Sequence, residues 1–365
     1  MKVRPLSRKK QKNPRRWLTV VDLFCGCGGV TEGLKRHNFR VVAAVDKDED
    51  ACKTYIANHP GVHLYPLDIR LVDPKDILTD DLKGEDLDVL VVCAQCQPFS
   101  SQNRSNKIDE RADLIFQATR FAQVLRPAVI FFENVPGLAT DKYKMLLEQL
   151  EKDLQELGYQ LSPPVSIDAA DYGVPQRRRR CILLATLKVK PLSLPDAITP
   201  EDARITVEKA IGHLLPLSSG EQDPNDLLHC ASNHQPQALE RLKHIPKDGG
   251  NRFSLPPHLV LNCHKNHDGH CDVYGRMWWN KVAPTLTTGC TDITRGRFAH
   301  PRDDRAITLR EVALLQTFPS YYKFIGNRTA IATQLGNAVP VRLVSSLAPT
   351  IRKAVHVVDS VVSAS

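Results

Sequence analysis

Over the first two-thirds of the chain, short apolar runs alternate with longer amphipathic stretches. Thr19–Phe24 (TVVDLF) reads as a buried strand running into the turn Cys25–Gly29 (CGCGG), with a helix over Val30–His37. Arg40–Val45 predicts a second strand and Ala51–Asn58 a helix. Asp88–Cys93 (DVLVVC) and Ala128–Phe132 (AVIFF) are further strands, separated by a helical stretch over Asp113–Leu125. Lys144–Leu157 has helical spacing and stops at Gly158, and Cys181–Leu187 returns to strand character. Alternation of this kind predicts an α/β fold with a doubly wound, mostly parallel sheet. Ligands in such sheets sit outside the carboxyl ends of the strands.

From about Lys188 the periodicity fades, and Pro, His, Asn and Asp become frequent until about Arg302. Ala306–Gln316 and Val341–Val355 then read as helices. The expected organisation is a basic tail over 1–16, a catalytic domain over 17–187, a smaller loop-rich domain over 188–303, and a return to the first domain over 304–365.

The chain has 365 residues, 42% of them hydrophobic and 25% charged, as in ordinary globular proteins. No apolar run approaches the roughly 20 residues needed to span a bilayer, and the N-terminus lacks the apolar stretch of a secretory signal. Half of the first sixteen residues are Lys or Arg, and the net charge is +8. That excess fits either a solvated basic surface or a polyanionic partner. The ten cysteines are scattered through a chain without a signal, so reduced thiols and a cytoplasmic setting are expected.

Six stretches carry chemistry. The glycines of CGCGG would let the backbone approach a ligand closely. Asp46, at the end of the second strand, could accept hydrogen bonds from a ribose diol. Asp68 and Ile69 follow the third strand; each acid could equally be a helix cap. Cys96 stands just past a central strand in CAQCQPFS, between polar neighbours in a Pro-containing loop. Such a cysteine is placed for nucleophilic work. Glu133 follows five apolar residues, a partly desolvated setting that suits proton donation, and Asn134 can brace it. In the run Gln176–Arg180, Arg178 and Arg180 share one face of a strand, with Arg177 and Arg179 on the other.

The ordered set DLFCGCGG, CAQCQPFS, FFENVPG, QRRRR, APTLTT and LGNAVP resembles the motif series of cytosine-C5 DNA methyltransferases, from about Val21 to Pro340. The resemblance implies a DNA (cytosine-5-)-methyltransferase with the S-adenosylmethionine-dependent methyltransferase fold. Phe24, Gly26, Gly28, Asp46, Asp68, Ile69 and Asn337 would hold the cofactor, S-adenosylmethionine. Cys96 would be the nucleophile and Glu133 the acid at N3 of a flipped-out cytosine. Arg178 and Arg180 match the two outer arginines of the arginine motif, with Arg178 expected near O2 of the base. The insert is implied to be a target-recognition domain, where Arg241, Lys243, Arg252 and Arg276 are candidate phosphate or guanine contacts.

The implied partner is double-stranded DNA at a short specific sequence. The chain is expected to act as a monomer, near the nucleoid, with a cognate restriction endonuclease as a further partner and no membrane. Two departures bear on rate: Gln95 stands where the family usually has proline, and Cys93-Ala94 where it has a Gly-Pro pair. Lys47 replaces an apolar residue that stacks on adenine, so its stem or another residue would cover the ring. A tRNA substrate and a catalytically weakened DNA-binding relative are the alternatives; the Cys-Phe-Thr signature of the tRNA branch is absent. The cluster Cys263-His264-x-x-His267-x-x-His270-Cys271 matches no common zinc finger, and no metal is assigned.

Overall fold

A computed structural model describes residues 16–94, 110–265, 269 and 271–363. From the N-terminus the chain forms β1 (Leu18–Leu23), α1 (Gly29–Lys35), β2 (Phe39–Val45), α2 (Glu49–Asn58), β3 (His63–Tyr65), α3 (Pro74–Asp76), β4 (Val89–Val92), α4 (Gln117–Leu125), β5 (Val129–Asn134) and α5 (Lys144–Glu156). Then come β6 (Tyr159–Leu161), β7 (Val165–Asp168) and β8 (Arg179–Leu187).

These strands make one sheet in the order β3-β2-β1-β4-β5-β8-β6, with β7 also paired to β8. The first five pair in parallel, whereas β8 runs antiparallel to β5, β6 and β7. β1, β4 and β5 are buried along their whole length. That is why they read as unbroken apolar runs rather than as an alternating pattern. Strand order reverses between β1 and β4, so the carboxyl edge there is the switch point where such sheets take ligands.

The described residues divide into two compact units. The first holds those up to Asp168, Arg179–Ala197, and those from Leu343 onward; the second holds those of Ala169–Arg178 and Ile198–Arg342. In the second lie α6 (Val207–Ile211), β9 (Gln222–Asp223), β10 (Asp226–Cys230), α7 (Pro236–His244), α8 (Leu309–Leu315) and α9 (Arg328–Asn337). The last helix, α10 (Val341–Val362), carries the chain back to the first. The observed return thus falls at Leu343, not at residue 304 as expected.

The reason lies in the start of α8. Thr308 caps it in a reciprocal box with Glu311. The Glu311 carboxylate receives Nη1 and Nη2 of buried Arg305 at 2.8 and 2.9 Å. Arg305 also donates to Leu217 O at 3.0 Å. Charges excluded from water in this way are stable only when fully paired. That pairing commits residues 303–311 to the second unit.

Candidate active site

Five successive parallel strands deliver their carboxyl ends to one edge of the first unit. After β1 the backbone takes left-handed conformations at Phe24 (φ 61), Gly26 (φ 51) and Gly28 (φ 92). A bulky residue pays for such a conformation, so Phe24 is a strained position of the kind found at ligand sites. A Cβ at Gly26 would meet nothing within 4 Å, so the turn presents open backbone.

Asp46, at the end of β2, faces this turn. Its Oδ2 accepts from Gly26 N at 2.8 Å and its Oδ1 from Asp48 N at 2.9 Å. Burial pushes its carboxyl up, against the pull of those amides. Deeper, Thr31 joins Asp22 and Tyr55: its hydroxyl donates to Asp22 Oδ2 at 2.9 Å and lies 2.8 Å from the Tyr55 hydroxyl. Asp22 is fully buried, and burial holds it up to about 7.

Asp68 follows β3 and caps the 3-10 turn Ile69–Leu71. Arg70 donates to it from Nε and Nη2 at 2.9 and 2.7 Å, and Lys47 Nζ reaches it at 3.2 Å. The Arg70 guanidinium holds its carboxyl well below the usual range. Ile69 is buried. Lys47, whose stem or another residue was expected to cover the adenine ring, is tied across the edge to Asp68.

Glu133 closes β5, with 3% of its surface exposed. Arg180 Nε stands 2.7 Å from its Oε1, but the N–H is misaimed, and neither atom has a hydrogen-bond partner among the described residues. Arg180 Nη1 donates to Arg179 O at 2.7 Å, which orients the guanidinium. Beside them, Asn134 Nδ2 donates to Ala94 O at 3.1 Å, and its Oδ1 accepts from Val135 N at 2.9 Å. Asn134 therefore pins the backbone at Ala94, two residues before Cys96. Cys96 itself lies outside the described residues.

The strand alternation of the arginine run is as expected: Arg178 and Arg180 are buried, Arg177 and Arg179 exposed. The expectation that Arg178 lies near the base is not what its contacts favour. Arg178 belongs to the second unit and is 2% exposed. Its Nη1 donates to Leu286 O at 2.9 Å, and its Nη2 to Gly336 O and Ala338 O at 2.9 and 3.0 Å. Arg177 N, next to it, pairs with Ala283 O at 2.8 Å, which turns the Arg178 side chain into that unit.

The two carbonyls on Nη2 flank Asn337, whose own side chain is exposed. Gly336 is pressed so closely on the Thr287–Thr288 backbone that a Cβ would lie 2.4 Å from Thr288 N. Within the second unit, Arg178 and Gly336 thus fix the backbone that presents Asn337. Beside the acid the structure places Arg180.

The candidate DNA contacts also divide. Arg276 is fully buried, donating to the carbonyls of Ile245, His300, Asp303 and Leu242 and to the Asp304 carboxylate. Arg252 is buried on Gly269 O, and Arg241 donates to Leu259 O. These three stabilise loops, and only Lys243 remains exposed. No group of three or more His, Cys, Asp or Glu that could hold a metal occurs among the described residues; His267 and His270 lie outside them.

The edge thus gathers an open glycine turn, the acids Asp46 and Asp68, and the buried carboxyl of Glu133 beside Arg180. A family model described as C-5 cytosine-specific DNA methylase matches residues 18–353, and the chain belongs to that family. Type II methylase M.HgiDII of Herpetosiphon aurantiacus is 37% identical to it over 341 residues, 92% of this chain and 95% of that one. Type II methyltransferase M1.HphI of Haemophilus parahaemolyticus is 30% identical, covering 92% and 87%.

In fold the chain is similar to a crystal structure described as a DNA modification methyltransferase encoded within an E. coli prophage. The TM-score is 0.73 at 22% identity, over 93% of this chain and 99% of that one. Spodoptera frugiperda DNMT2 gives a TM-score of 0.61 at 18% identity, over 92% and 99%. The chain is a DNA cytosine-5-methyltransferase.

Proposed function

We propose that the chain methylates C5 of a cytosine flipped out of a short specific sequence in double-stranded DNA, through a covalent bond between Cys96 Sγ and C6. The observation that carries this reading is the Glu133 carboxyl. It is buried beside Arg180 with one oxygen unsatisfied among the described residues, on the edge that β4 and the glycine turn share. An unsatisfied buried carboxyl is costly unless a ligand completes it. N3 of cytosine, which lies on the base's pairing edge, is such a ligand once the base has left the duplex.

The residues of the edge fit S-adenosylmethionine. The open turn at Gly26 leaves room for its methionine part, and Asp46 has acceptor capacity for a ribose diol. Phe24, Gly28, Asp68 and Ile69 complete this set, and the family resemblance adds Asn337. When bound, the cofactor supplies a methyl group as an electrophile.

The protein's own work is to prepare the ring. The Cys96 thiolate adds to C6 as the C5–C6 double bond opens, and Glu133, acting as general acid, delivers a proton to N3 to offset the charge that develops there. Arg180 orients Glu133 and can reach toward O2. C5 is then electron-rich. After methylation a base removes the C5 proton, the double bond re-forms and the thiolate leaves.

The type II names of the relatives support a role as the modification partner of a restriction endonuclease with the same recognition site. We read the chain as a monomer acting on DNA in the cytoplasm; among the described residues no helix is long and apolar enough to cross a membrane. Bisulfite sequencing of DNA from cells expressing the chain tests the reading. It should reveal methylcytosine at one short motif; unmodified DNA together with labelled tRNA would overturn it.

A further inference from the structure

The turn at Asp68 and Ile69, expected to hold part of the cofactor, is short. Its backbone closes it with Leu71 N on Asp68 O at 2.8 Å and a long bond from Val72 N to Ile69 O at 3.3 Å, and Asp68 Oδ1 caps it at Arg70 N at 3.1 Å. A single 3-10 turn of this kind has little stability of its own. It is held from outside by a residue the sequence reading did not single out. Arg120, on α4, donates from Nη2 to Ile69 O at 2.5 Å and from Nη1 to Val72 O at 2.8 Å. Its Nε donates to Gln117 Oε1 at 2.7 Å, which fixes the guanidinium on its own helix.

A planar fork can grip two carbonyls three residues apart; a lysine ammonium cannot reproduce that geometry. Asp68, the acid of the turn, is already shared between Arg70 and Lys47. What remains for a ligand there depends on where the turn is held. α4 is the first α-helix after residues 95–109, the stretch that contains Cys96. One guanidinium thus ties this turn to the α-helix that follows residues 95–109.

We propose that Arg120 is a positioning residue for the cofactor: by holding the carbonyls of Ile69 and Val72 it keeps the Asp68–Val72 turn in its binding conformation. The proposal rests on the reading that this edge binds S-adenosylmethionine. Binding to a preformed turn avoids the cost of ordering it at the moment of binding. Arg120 touches neither base nor methyl group, so its effect should appear in cofactor affinity and not in the methylation step.

The test is isothermal titration of S-adenosylmethionine into the full-length chain, with steady-state kinetics on duplex DNA. Arg120→Gln should weaken cofactor binding about tenfold or more, the loss that a broken charge-assisted hydrogen bond carries. Its KM for cofactor should rise, with kcat at saturation within about threefold of the parent, as for loss of uniform binding. Arg120→Lys should fall between the two. A folded Arg120→Gln with unchanged cofactor affinity, or with kcat lost at constant KM, overturns the proposal. If Arg120→Gln does not fold, Arg120→Lys carries the test, and parental affinity in it overturns the proposal. Asp46→Ala is the control: if it, too, leaves affinity intact, the reading of the edge as the cofactor site falls, and this inference with it.

Discussion

Nε of Arg180 lies 2.7 Å from Oε1 of Glu133, and both side chains are almost excluded from water, yet no aligned hydrogen bond joins them. The guanidinium supplies charge while the carboxyl keeps an oxygen for another partner. Glu133→Gln should therefore lower kcat by about 10²–10⁴-fold, the worth of a positioned acid, with duplex binding retained. Tritium transfer at saturating cofactor measures this; turnover within a few-fold of the parent would contradict the role. Arg180→Ala should cost about 3–5 kcal/mol of stability as well, because it strands a buried carboxyl.

Asp46 receives the amides of Gly26 and Asp48, so it both shapes the glycine turn and offers acceptors to a diol. Asp46→Asn keeps the size but exchanges an acceptor for a donor. Cofactor affinity should fall by about tenfold or more, with DNA affinity unchanged. Equilibrium binding of S-adenosylmethionine checks the first and gel shift the second.

Asp22 stabilises the fold less than its position suggests. Burial, opposed by the Thr31 hydroxyl and aided by nearby Asp46, holds its carboxyl up at about 7, against 3.8 for an ordinary aspartate. Between those values the folded chain keeps a proton that the unfolded chain has lost. The contribution of Asp22 therefore declines as pH rises through that window. Asp22→Asn should be more stable than the parent at pH 8, by on the order of 2 kcal/mol, with the gain vanishing near pH 4. Urea unfolding at both pH values decides; an equal difference at both would count against it.

In the second unit the Arg305–Glu311 pair is deeply buried, with His300 beside it. Glu311→Gln should cost about 3–5 kcal/mol by leaving Arg305 uncompensated. Burial pushes His300 down from 6.5 to about 4. The unfolded chain takes up that proton first, so this contribution is lost as pH falls from 6.5 toward 4. Thermal unfolding of the full chain across that range should show the loss, and His300→Gln should flatten it.

The central strands were legible because they are buried on both faces: TVVDLF, DVLVVC and AVIFF each became one of them. β7 was not, since Val165 and Ser166 are exposed at the margin of the sheet. The helix over Ala306–Gln316 was legible in its spacing, but spacing does not say which core a helix joins. Glu311, buried on Arg305, settled that.

Charge was the poorest guide. Arg276 and Arg252 looked like DNA contacts, and Arg178 like a base contact, because a sequence does not show the carbonyls waiting in the folded chain. Strand period put Arg180 on the face it shares with Arg178, but it did not show that Glu133 lies beside it. Arg120 gave no signal, since a lone arginine on a helix is ordinarily a solvated one.

The most direct test of the central claim is covalent capture. The chain is mixed with duplex DNA carrying 5-fluorocytosine in its recognition motif and with S-adenosylmethionine, and the product is analysed by denaturing electrophoresis and peptide mass spectrometry. The account predicts a stable protein–DNA adduct, one methyl heavier, joined at Cys96 and absent in Cys96→Ser. Methylated DNA without any adduct, or an adduct at another residue, would contradict it.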